Sequence, residues 1–393
     1  MKQITITVLM AFFVALQVFA ERVDMREAGV DNQEALKNTE IINNTINRLN
    51  KAGGGTLFFP SGDYLTASIH MKSNITLELE AGATLRFSDN FDDYMPFVEM
   101  RHEGVMMKSF QPLIYATDAE NITIKGEGKL DGQGKAWWKE FFRVLIDLRD
   151  NGKRDINKYQ PLFEQANDMK TLYAETNVDW HSTLDRRFLR PPFIQPLRCR
   201  NVRIEGITIV NSPFWTVNPN FCDNVTVKGV TINNVPSPNT DGINPESCSN
   251  VHISDCHISV GDDCITIKSG RDLQARKIGR PCENITITNC TMLSGHGGVV
   301  IGSEMSGGVK KVTISNCVFD GTDRGIRIKS TRGRGGVVED IRVSNVVMSD
   351  IKREAVVLNL KYSQMKMEKK SERTPVFRNI FVTGLTVRGT QTP

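Results

Sequence analysis

The sequence predicts an all-β protein, a right-handed parallel β-helix with an N-terminal capping helix and one long insertion. The main observation is a short phrase, an asparagine followed by alternating aliphatic and polar residues, which recurs from residue 73 onwards. Its clearest copies begin at Asn74, Asn121, Asn201, Asn224, Asn250 and Asn284. The aliphatic anchors from Val202 to Ile380 are 23, 26, 34, 27, 29 and 39 residues apart, which is typical of a solenoid with loops of unequal length. No long helical pattern separates the strands, so a sheet of alternating strands and helices fits poorly.

Residues 1–20 predict an export signal. Lys2 precedes an apolar run that ends at Ala20, where small residues favour cleavage. We therefore expect a mature chain of residues 21–393 that forms one catalytic domain. It would be periplasmic or extracellular and would have no membrane-inserted segment. A membrane anchor is the alternative interpretation, but the run is short and no basic stop follows it.

The composition excludes some classes of partner. The 393-residue chain with 39% hydrophobic residues can form a sizeable core. Its net charge of +4 is too small to indicate nucleic-acid binding, and no basic cluster is interleaved with aromatic residues. Local recognition of an acidic polymer by a few cations remains open.

The first 70 residues predict a helix followed by strands. Residues 32–51 carry aliphatic residues at a helical period, and Gly53 to Gly55 end the pattern. Residues 56–60 and 63–66 favour strands around a turn. An amphipathic helix in this place would cover the first exposed edge of the solenoid.

Residues 137–190 interrupt the repeat. The segment contains no copy of the phrase, and aromatic residues alternate with many charges: Trp137, Trp138, Phe141, Phe142, Tyr159, Phe163, Tyr173 and Trp180. Its length exceeds that of ordinary connections. It is either a wall or lid of a binding site or a helical flap that only covers one side of the solenoid.

All eight cysteines lie between Cys199 and Cys317. Four share one offset of the repeat, Cys199, Cys222, Cys248 and Cys282, and three share a second offset that other copies fill with aliphatic residues. An offset shared with aliphatic residues indicates an interior stack of small hydrophobic side chains. We therefore predict buried free thiols rather than disulfides.

Four runs between residues 239 and 329 carry the candidate active site: Asn239-Thr240-Asp241, Gly261-Asp262-Asp263, Gly295-His296-Gly297 and Arg327-Ile328-Lys329. Aligning the flanking aliphatic residues places Asp241 level with Asp263, and Asp262 level with His296. Equivalent positions on neighbouring parallel strands lie about 4.8 Å apart. The four side chains should therefore crowd together, with Arg327 and Lys329 on one face beside them.

These four ordered motifs on a repeat of this kind closely resemble glycoside hydrolase family 28, the polygalacturonases. The resemblance implies a right-handed parallel β-helix that hydrolyses α-1,4-linked galacturonic acid with inversion and needs no metal or other cofactor. It assigns the general acid to Asp262 and the activation of water to Asp241 and Asp263. Arg327 and Lys329 match the cations that hold a galacturonate carboxylate beside the cleavage point, and arginine suits such binding.

The charges and positions of these residues lead to further expectations about their pKa values and their contacts with substrate. Crowding of carboxylates should raise the pKa of at least one of them, and His296 could tune the proton on Asp262 through a hydrogen bond. Asn239 is a further candidate for substrate binding. Lys268 shares its offset with Lys329 and is either a substrate contact or only an exposed strand lysine. Tyr362 lies where the family often carries a tyrosine over the cleavage subsite.

Two features depart from the family pattern. Asn244 stands where many relatives have a second aspartate. The sequence ends at Pro393, soon after a strand phrase, so we expect a shortened C-terminal end with an exposed terminal coil.

The predicted function is that of an exported polygalacturonase acting on pectic polysaccharide. The insertion at 137–190 and the run 302–308 resemble those of bacterial members in which added loops block one end of the groove, so we expect exo action. The alternatives are a hydrolase of rhamnogalacturonan or decorated galacturonan, a calcium-dependent pectate lyase, and a carbohydrate-binding β-helix without activity.

Overall fold

The computed structural model describes residues 21–151, 158–176, 188–362 and 368–390. The chain is 46% strand and 16% helix and forms the predicted right-handed parallel β-helix. The export signal expected at residues 1–20 lies outside the described residues and stays a prediction, and Trp180 of the insertion also lies outside them.

Each coil of the solenoid contributes strands to three parallel rows. The first row contains β1 (Glu21–Asp24), β2 (Gly55–Phe59), β5 (Ile75–Leu79), β10 (Glu120–Gly126), β13 (Arg200–Glu205), β15 (Asp223–Lys228), β17 (Ser249–Ser254), β20 (Cys282–Thr288), β23 (Val309–Asp320), β25 (Val337–Ser349) and β27 (Val376–Arg388). The second row contains β3 (Gly62–Thr66), β6 (Ala83–Phe87), β11 (Lys129–Asp131), β14 (Thr208–Val210), β16 (Thr231–Asn233), β18 (His257–Ser259) and β21 (Thr291–Ser294), and continues into the long strands β23, β25 and β27.

The third row carries the candidate active site. It contains β4 (Ile69–His70), β9 (Ile114–Thr117), β12 (Ile194–Leu197), β19 (Asp263–Ile267), β22 (Gly297–Ile301), β24 (Ile326–Lys329) and β26 (Val356–Asn359). Single parallel bridges through Val217 and Ile243 connect β12 to β19.

The repeated asparagines form the turn between the third and first rows. They adopt positive φ angles, for example 64° at Asn74 and 56° at Asn121, a conformation that asparagine tolerates better than most residues. Each also donates a hydrogen bond to the asparagine one coil earlier, as Asn121 does to Asn74 at 2.8 Å. The turn role predicted from the sequence is confirmed.

The predicted capping helix is α1 (Ala35–Lys51), which begins three residues later than the pattern indicated. Ile42, Ile46 and Leu49 are buried on the face that packs against β2, β3 and β4. The helix therefore covers apolar residues of the first coils, as the sequence predicted.

An antiparallel hairpin and several helices lie outside the rows. The hairpin consists of β7 (Val98–His102) and β8 (Val105–Ser109). The helices are α2 (Lys135–Asn151), α3 (Tyr159–Ala166), α4 (Met169–Glu175) and α5 (Asp272–Ile278). Among the described helices, none combines the length and the apolar character that crossing a membrane requires.

The described part of the insertion packs as a helical flap. Trp137 is fully buried and contacts the rings of Phe91, Tyr94, Phe110 and Phe188. Phe163 of α3 is buried in a second small core, together with Met100, Val105, Met107, Leu172 and Leu189. Trp137 and Phe163 therefore serve packing, and Phe163 contacts the core beneath the hairpin side chains Met100, Val105 and Met107. Whether other residues of the insertion line a binding site stays a prediction.

All eight cysteines are buried and free. The backbone NH of Cys222 lies 3.4 Å from Sγ of Cys248, and that of Cys248 lies 3.4 Å from Sγ of Cys282. The predicted interior stack of thiols is therefore confirmed.

Candidate active site

The third row brings the four sequence runs together in the predicted register. Ile243 pairs with Ile265, Asp263 with Gly297 and Val299 with Ile326. Asp241 therefore stands beside Asp263, and Asp262 beside His296. Gly242 permits this close packing, because a Cβ atom there would lie 2.4 Å from the carbonyl oxygen of Cys264.

Asp241 is a buried carboxyl group held by neutral donors. Its Oδ2 accepts hydrogen bonds from Nδ2 of Asn244 at 2.9 Å and from Oγ1 of Thr266 at 3.2 Å. Burial, and next the charge of Asp262, raise the pKa of Asp241 well above its usual range. The expected pKa rise among the crowded carboxyls is therefore found at Asp241.

Asp262 and His296 form a hydrogen-bonded ion pair at the mouth of the site. Nδ1 of His296 donates to Oδ1 of Asp262 at 3.1 Å, and Nδ2 of Asn239 donates to Oδ2 of Asp262 at 3.3 Å. Burial opposes the charge of Asp262, but the hydrogen bond from His296 and the charge of Lys329 outweigh it and lower its pKa to about 2. The same hydrogen bond raises the pKa of His296 to about 9. In the free protein the proton of this pair is therefore held by the imidazole.

Asp263 is joined to Lys329 inside the site. Nζ of Lys329 donates to Oδ2 of Asp263 at 2.6 Å, and both side chains are buried. Although burial opposes its charge, Asp263 raises the pKa of Lys329. Oδ1 of Asp263 is buried and accepts no hydrogen bond from the described residues.

Arg327, Lys329 and Tyr362 lie together on the C-terminal side of the aspartates. The ring of Tyr362 is 6.0 Å from Cζ of Arg327 and 5.5 Å from Nζ of Lys329. Arg327 is half-buried and forms no hydrogen bond or ion pair with any described residue. Its guanidinium is therefore available for an anionic ligand.

Lys268 lies beside the aspartates but below the surface. Its side chain is 3% exposed, and Nζ lies 3.9 Å from Oδ2 of Asp241 and 2.8 Å from Oε2 of Glu304. The interpretation as an exposed strand lysine is wrong, because the buried carboxylate of Glu304 holds the ammonium group inside the protein. A direct contact of Lys268 with substrate stays a prediction.

The hairpin covers the floor of the groove on the N-terminal side. The NH of Arg101 donates to Oε1 of Gln195 at 3.3 Å, and Nε2 of Gln195 donates to the carbonyl oxygen of Arg101 at 2.8 Å. Asn218 and Gln195 lie one and two coils before Asn244 on the outward face, and they are 0% and 2% exposed. Beyond the aspartates on the C-terminal side, Arg327 and Val357 of the same face are half-buried. The groove is therefore occupied on one side and more open on the other.

Neither the hairpin nor a role of Glu304 in the site was predicted from the sequence. The signal for the hairpin was present, since Glu103-Gly104 separates two runs of five residues with apolar alternation. Arg190 was also missed; its Nη2 donates to Oδ1 of Asn239 at 2.8 Å and connects the end of the insertion with the residue that contacts Asp262. Nothing in the local sequence marks Arg190 as a partner of residue 239.

The three aspartates are not arranged as a metal site. Among the described residues, no group of three or more acidic, histidine or cysteine side chains could hold a metal ion. The Asp241 and Asp263 carboxyls instead accept hydrogen bonds from Asn244 and Lys329.

The pairing of His296 with Asp262 can be tested by titration. In D262N the pKa of His296 should fall from about 9 towards the usual value of about 6.5, because the main partner that stabilises the imidazolium is lost. NMR of the imidazole proton against pH measures this change. Any stabilisation from the wild-type pair is present below about pH 6.5 and lost as the pH rises through about 9. D323N is the matched control, because Asp323 raises the pKa of His296 only through weaker long-range attraction; an equal shift in both variants would contradict the assignment.

A parallel β-helix with clustered carboxyl groups and cations in a groove along one face defines the class of carbohydrate-cleaving β-helix proteins. Within this class, the sequence profile described as glycosyl hydrolases family 28 matches residues 177–392, and the chain belongs to that family.

Comparisons with individual proteins agree with this placement. The chain is 32% identical to a probable polygalacturonase of Vitis vinifera over 82% of its own length and 60% of that protein. It is 30% identical to an endo-polygalacturonase of Pectobacterium carotovorum subsp. carotovorum over 76% of its length and 65% of that protein. The structure of a hyperthermoactive exopolygalacturonase from Thermotoga maritima aligns with a TM-score of 0.81 and 35% identity over 95% of this chain and 82% of that one. The chain thus spans less than two thirds of the length of these two sequence relatives.

Proposed function

We propose that this protein is an inverting hydrolase that cleaves α-1,4-linked galacturonan from the chain end. The observation that carries the proposal is the arrangement of Asp241, Asp262 and Asp263 in one row with Arg327, whose guanidinium forms no hydrogen bond or ion pair with any described residue. Names of relatives agree with a galacturonan substrate, since they include both endo- and exo-polygalacturonases.

The proposed general acid is Asp262. It receives its proton from His296, which carries that proton in the free protein. In the free protein the imidazolium faces a charged Asp262. A sugar bound over the pair would exclude water, and loss of solvation favours the neutral form of an ion pair. The proton of Nδ1 then passes to Oδ1 of Asp262 across their hydrogen bond, in which nitrogen and oxygen are 3.1 Å apart. Asp262 donates a proton to the glycosidic oxygen as the bond to the anomeric carbon breaks.

Asp241 and Asp263 are proposed to hold and deprotonate the attacking water. Inverting glycosidases keep acid and base about 6.5 to 9.5 Å apart so that a water molecule fits between base and sugar. In this proposal Oδ1 of Asp263, which accepts no hydrogen bond from the described residues, accepts one from that water. The raised pKa of Asp241 makes it a suitable final acceptor of the water proton.

Arg327 and Lys329 are proposed to bind the carboxylate of a galacturonate unit next to the cleavage point. Arg327 has no partner among the described residues, and a guanidinium can bind a carboxylate through two parallel hydrogen bonds. The ring of Tyr362, within 6.0 Å of both cations, would line the same subsite.

The proposed exo action rests on the hairpin. Because β7–β8 lies directly on Gln195 and its neighbours, a long polymer has no continuous path across the N-terminal part of the groove. Only a chain end would then reach Asp262 from that side.

The products formed from unmodified polygalacturonic acid test this function. With a chelator present, we expect early release of a single short product, without the ultraviolet absorbance of an unsaturated sugar. A variant in which a two-residue turn replaces residues 98–109, combined with E246Q because the deletion removes Arg101, should release mixed oligomers early. Chelator-sensitive absorbance would identify a lyase instead. Mixed early oligomers from the wild-type protein would contradict exo action, and binding without cleavage of any pectic substrate would identify a binding protein.

A further inference from the structure

A buried cluster of charges lies directly behind the active site. Its centre is Glu304, whose Oε2 accepts from Lys268 at 2.8 Å and whose Oε1 accepts from Arg271 at 2.9 Å and from Arg334 at 3.4 Å. The side chains of all four residues are at most 7% exposed. Burying these charges costs desolvation free energy, which the ion pairs around Glu304 offset only where their geometry is good.

Lys268 connects this cluster to the proposed chemistry. Its Nζ is close to Glu304 and donates to the carbonyl oxygen of Gly302 at 3.2 Å, while Oδ2 of Asp241 is 3.9 Å away. The ring of Trp215, 4.6 Å from Nζ, bounds the same space. Glu304 thus competes with Asp241 for a single ammonium group and holds it at the longer distance from Asp241.

The neighbouring pair shows what this competition changes. Lys329 occupies the offset of Lys268 two coils later and bonds directly to Asp263 at 2.6 Å. Two lysines at one offset therefore face two aspartates, but only Lys329 bonds to its aspartate. The difference is that Lys268 also faces Glu304.

We propose that Glu304 positions Lys268 so that the ammonium group only partly neutralises Asp241, and that this sets the pH range in which Asp241 accepts the water proton. Both residues act through Asp241 and are positioning residues. The inference rests on the proposed function, because it assumes that Asp241 takes part in activating water.

Other charges also face these groups, and each remains in place in the variants used below. Asp241 faces Asp262, Asp263 and Lys329. Lys268 faces Asp263 in addition to its two carboxylate neighbours. Glu246 faces Lys268, Arg101, Arg271 and Glu304 from the strand region before β17. Two further acidic residues face the arginines of the cluster. Arg271 also pairs with Glu103 of the hairpin at 3.6 Å, and Asp272 faces Arg271 and Arg334.

The proposal requires opposite effects from two substitutions. K268M removes the cation near Asp241, so the acidic limb of kcat/KM should move to higher pH by about one unit. E304Q removes the competing anion, so the ammonium acts more strongly on Asp241 and the limb should move to lower pH. K268R should keep the limb near its wild-type position. K277M is the matched control, since Lys277 is an exposed lysine paired with Glu175 and is not among the main charges that act on Asp241.

Two measurements distinguish the outcomes. The first is the pH profile of kcat/KM on polygalacturonic acid, and the second is the infrared carbonyl band of protonated Asp241, identified by its loss in D241N. Opposite shifts in both measurements support the proposal. Shifts in the same direction, or uniform loss of rate with an unchanged limb, overturn it. If E304Q does not fold, a limb that moves to higher pH in K268M but not in K268R supports the proposal, and equal behaviour of the two variants overturns it. If the wild-type protein lacks hydrolysis altogether, the proposed function fails, and the infrared band alone decides whether Lys268 controls Asp241.

Discussion

Asp262→Asn is expected to reduce kcat on polygalacturonic acid by about 10² to 10⁴-fold, the usual contribution of a general acid. The asparagine amide keeps the shape of the side chain and can still contact Asn239, but it cannot deliver a proton to the glycosidic oxygen. Substrate binding should survive, because Arg327 and Lys329 are unchanged. Initial rates and the KM of the purified variant measure the two effects separately.

The matched control is Asp255→Asn. Asp255 is also an aspartate in a solenoid turn, with a φ angle of 58°, and its carboxylate accepts from Asn289 of the next coil at 3.3 Å. This variant should keep nearly the wild-type rate. A D262N protein that retained more than about a tenth of the rate would be inconsistent with a general acid at this position.

Arg101→Met is expected to destabilise the protein by about 3 to 5 kcal/mol at neutral pH, because it leaves a buried carboxylate without its cation. Arg101 and Glu246 are fully buried, and Nε of Arg101 lies 3.6 Å from Oε1 of Glu246. Nη1 of Arg101 also donates to Oγ of Ser247 at 3.0 Å. The Glu246 carboxylate accepts no hydrogen bond from the described residues, so the substitution would remove its closest charged partner among them, ahead of the weaker attraction of Lys268 and Arg271. Unfolding in urea, followed by circular dichroism, measures the change.

The pH dependence of this variant provides an internal check. Burial raises the pKa of Glu246, although Arg101 opposes the shift. A raised folded-state pKa means that the folded state takes up the proton more readily, so the penalty should shrink as the pH is lowered and grow as the pH is raised. The double variant R101M/E246Q should recover much of the lost stability and lose this pH dependence. Equal stability losses in the single and double variants would show that packing, and not charge, determines the effect.

The sequence predicted the fold and the residues that meet in the site, because both follow from a local repeat. The phrase that begins at Asn201 or Asn224 specifies a turn, an inward aliphatic residue and an outward polar residue, and every coil repeats the same code. Once Ile243, Ile265 and Val299 are aligned, stacking at a fixed spacing brings Asp241 to Asp263 and Asp262 to His296. The buried thiols followed from the same alignment.

The tertiary structure alone decided which residues surround these side chains. Arg101 meets Ser247 across 146 positions of sequence, and such a contact depends on how the hairpin folds over the groove, which no repeat encodes. The burial of Lys268 and its bond to Glu304 also depend on a loop that packs from another coil.

Which groups of the site carry a proton was also decided only by the tertiary structure. The sequence indicated that one carboxyl would have a raised pKa, but it could not show that this group is Asp241 while the pKa of Asp262 is lowered to about 2. Charge interactions change over distances of an ångström and with the exclusion of water. The sequence therefore determined which groups meet, and only the folded arrangement determined their distances, their burial and the location of the proton.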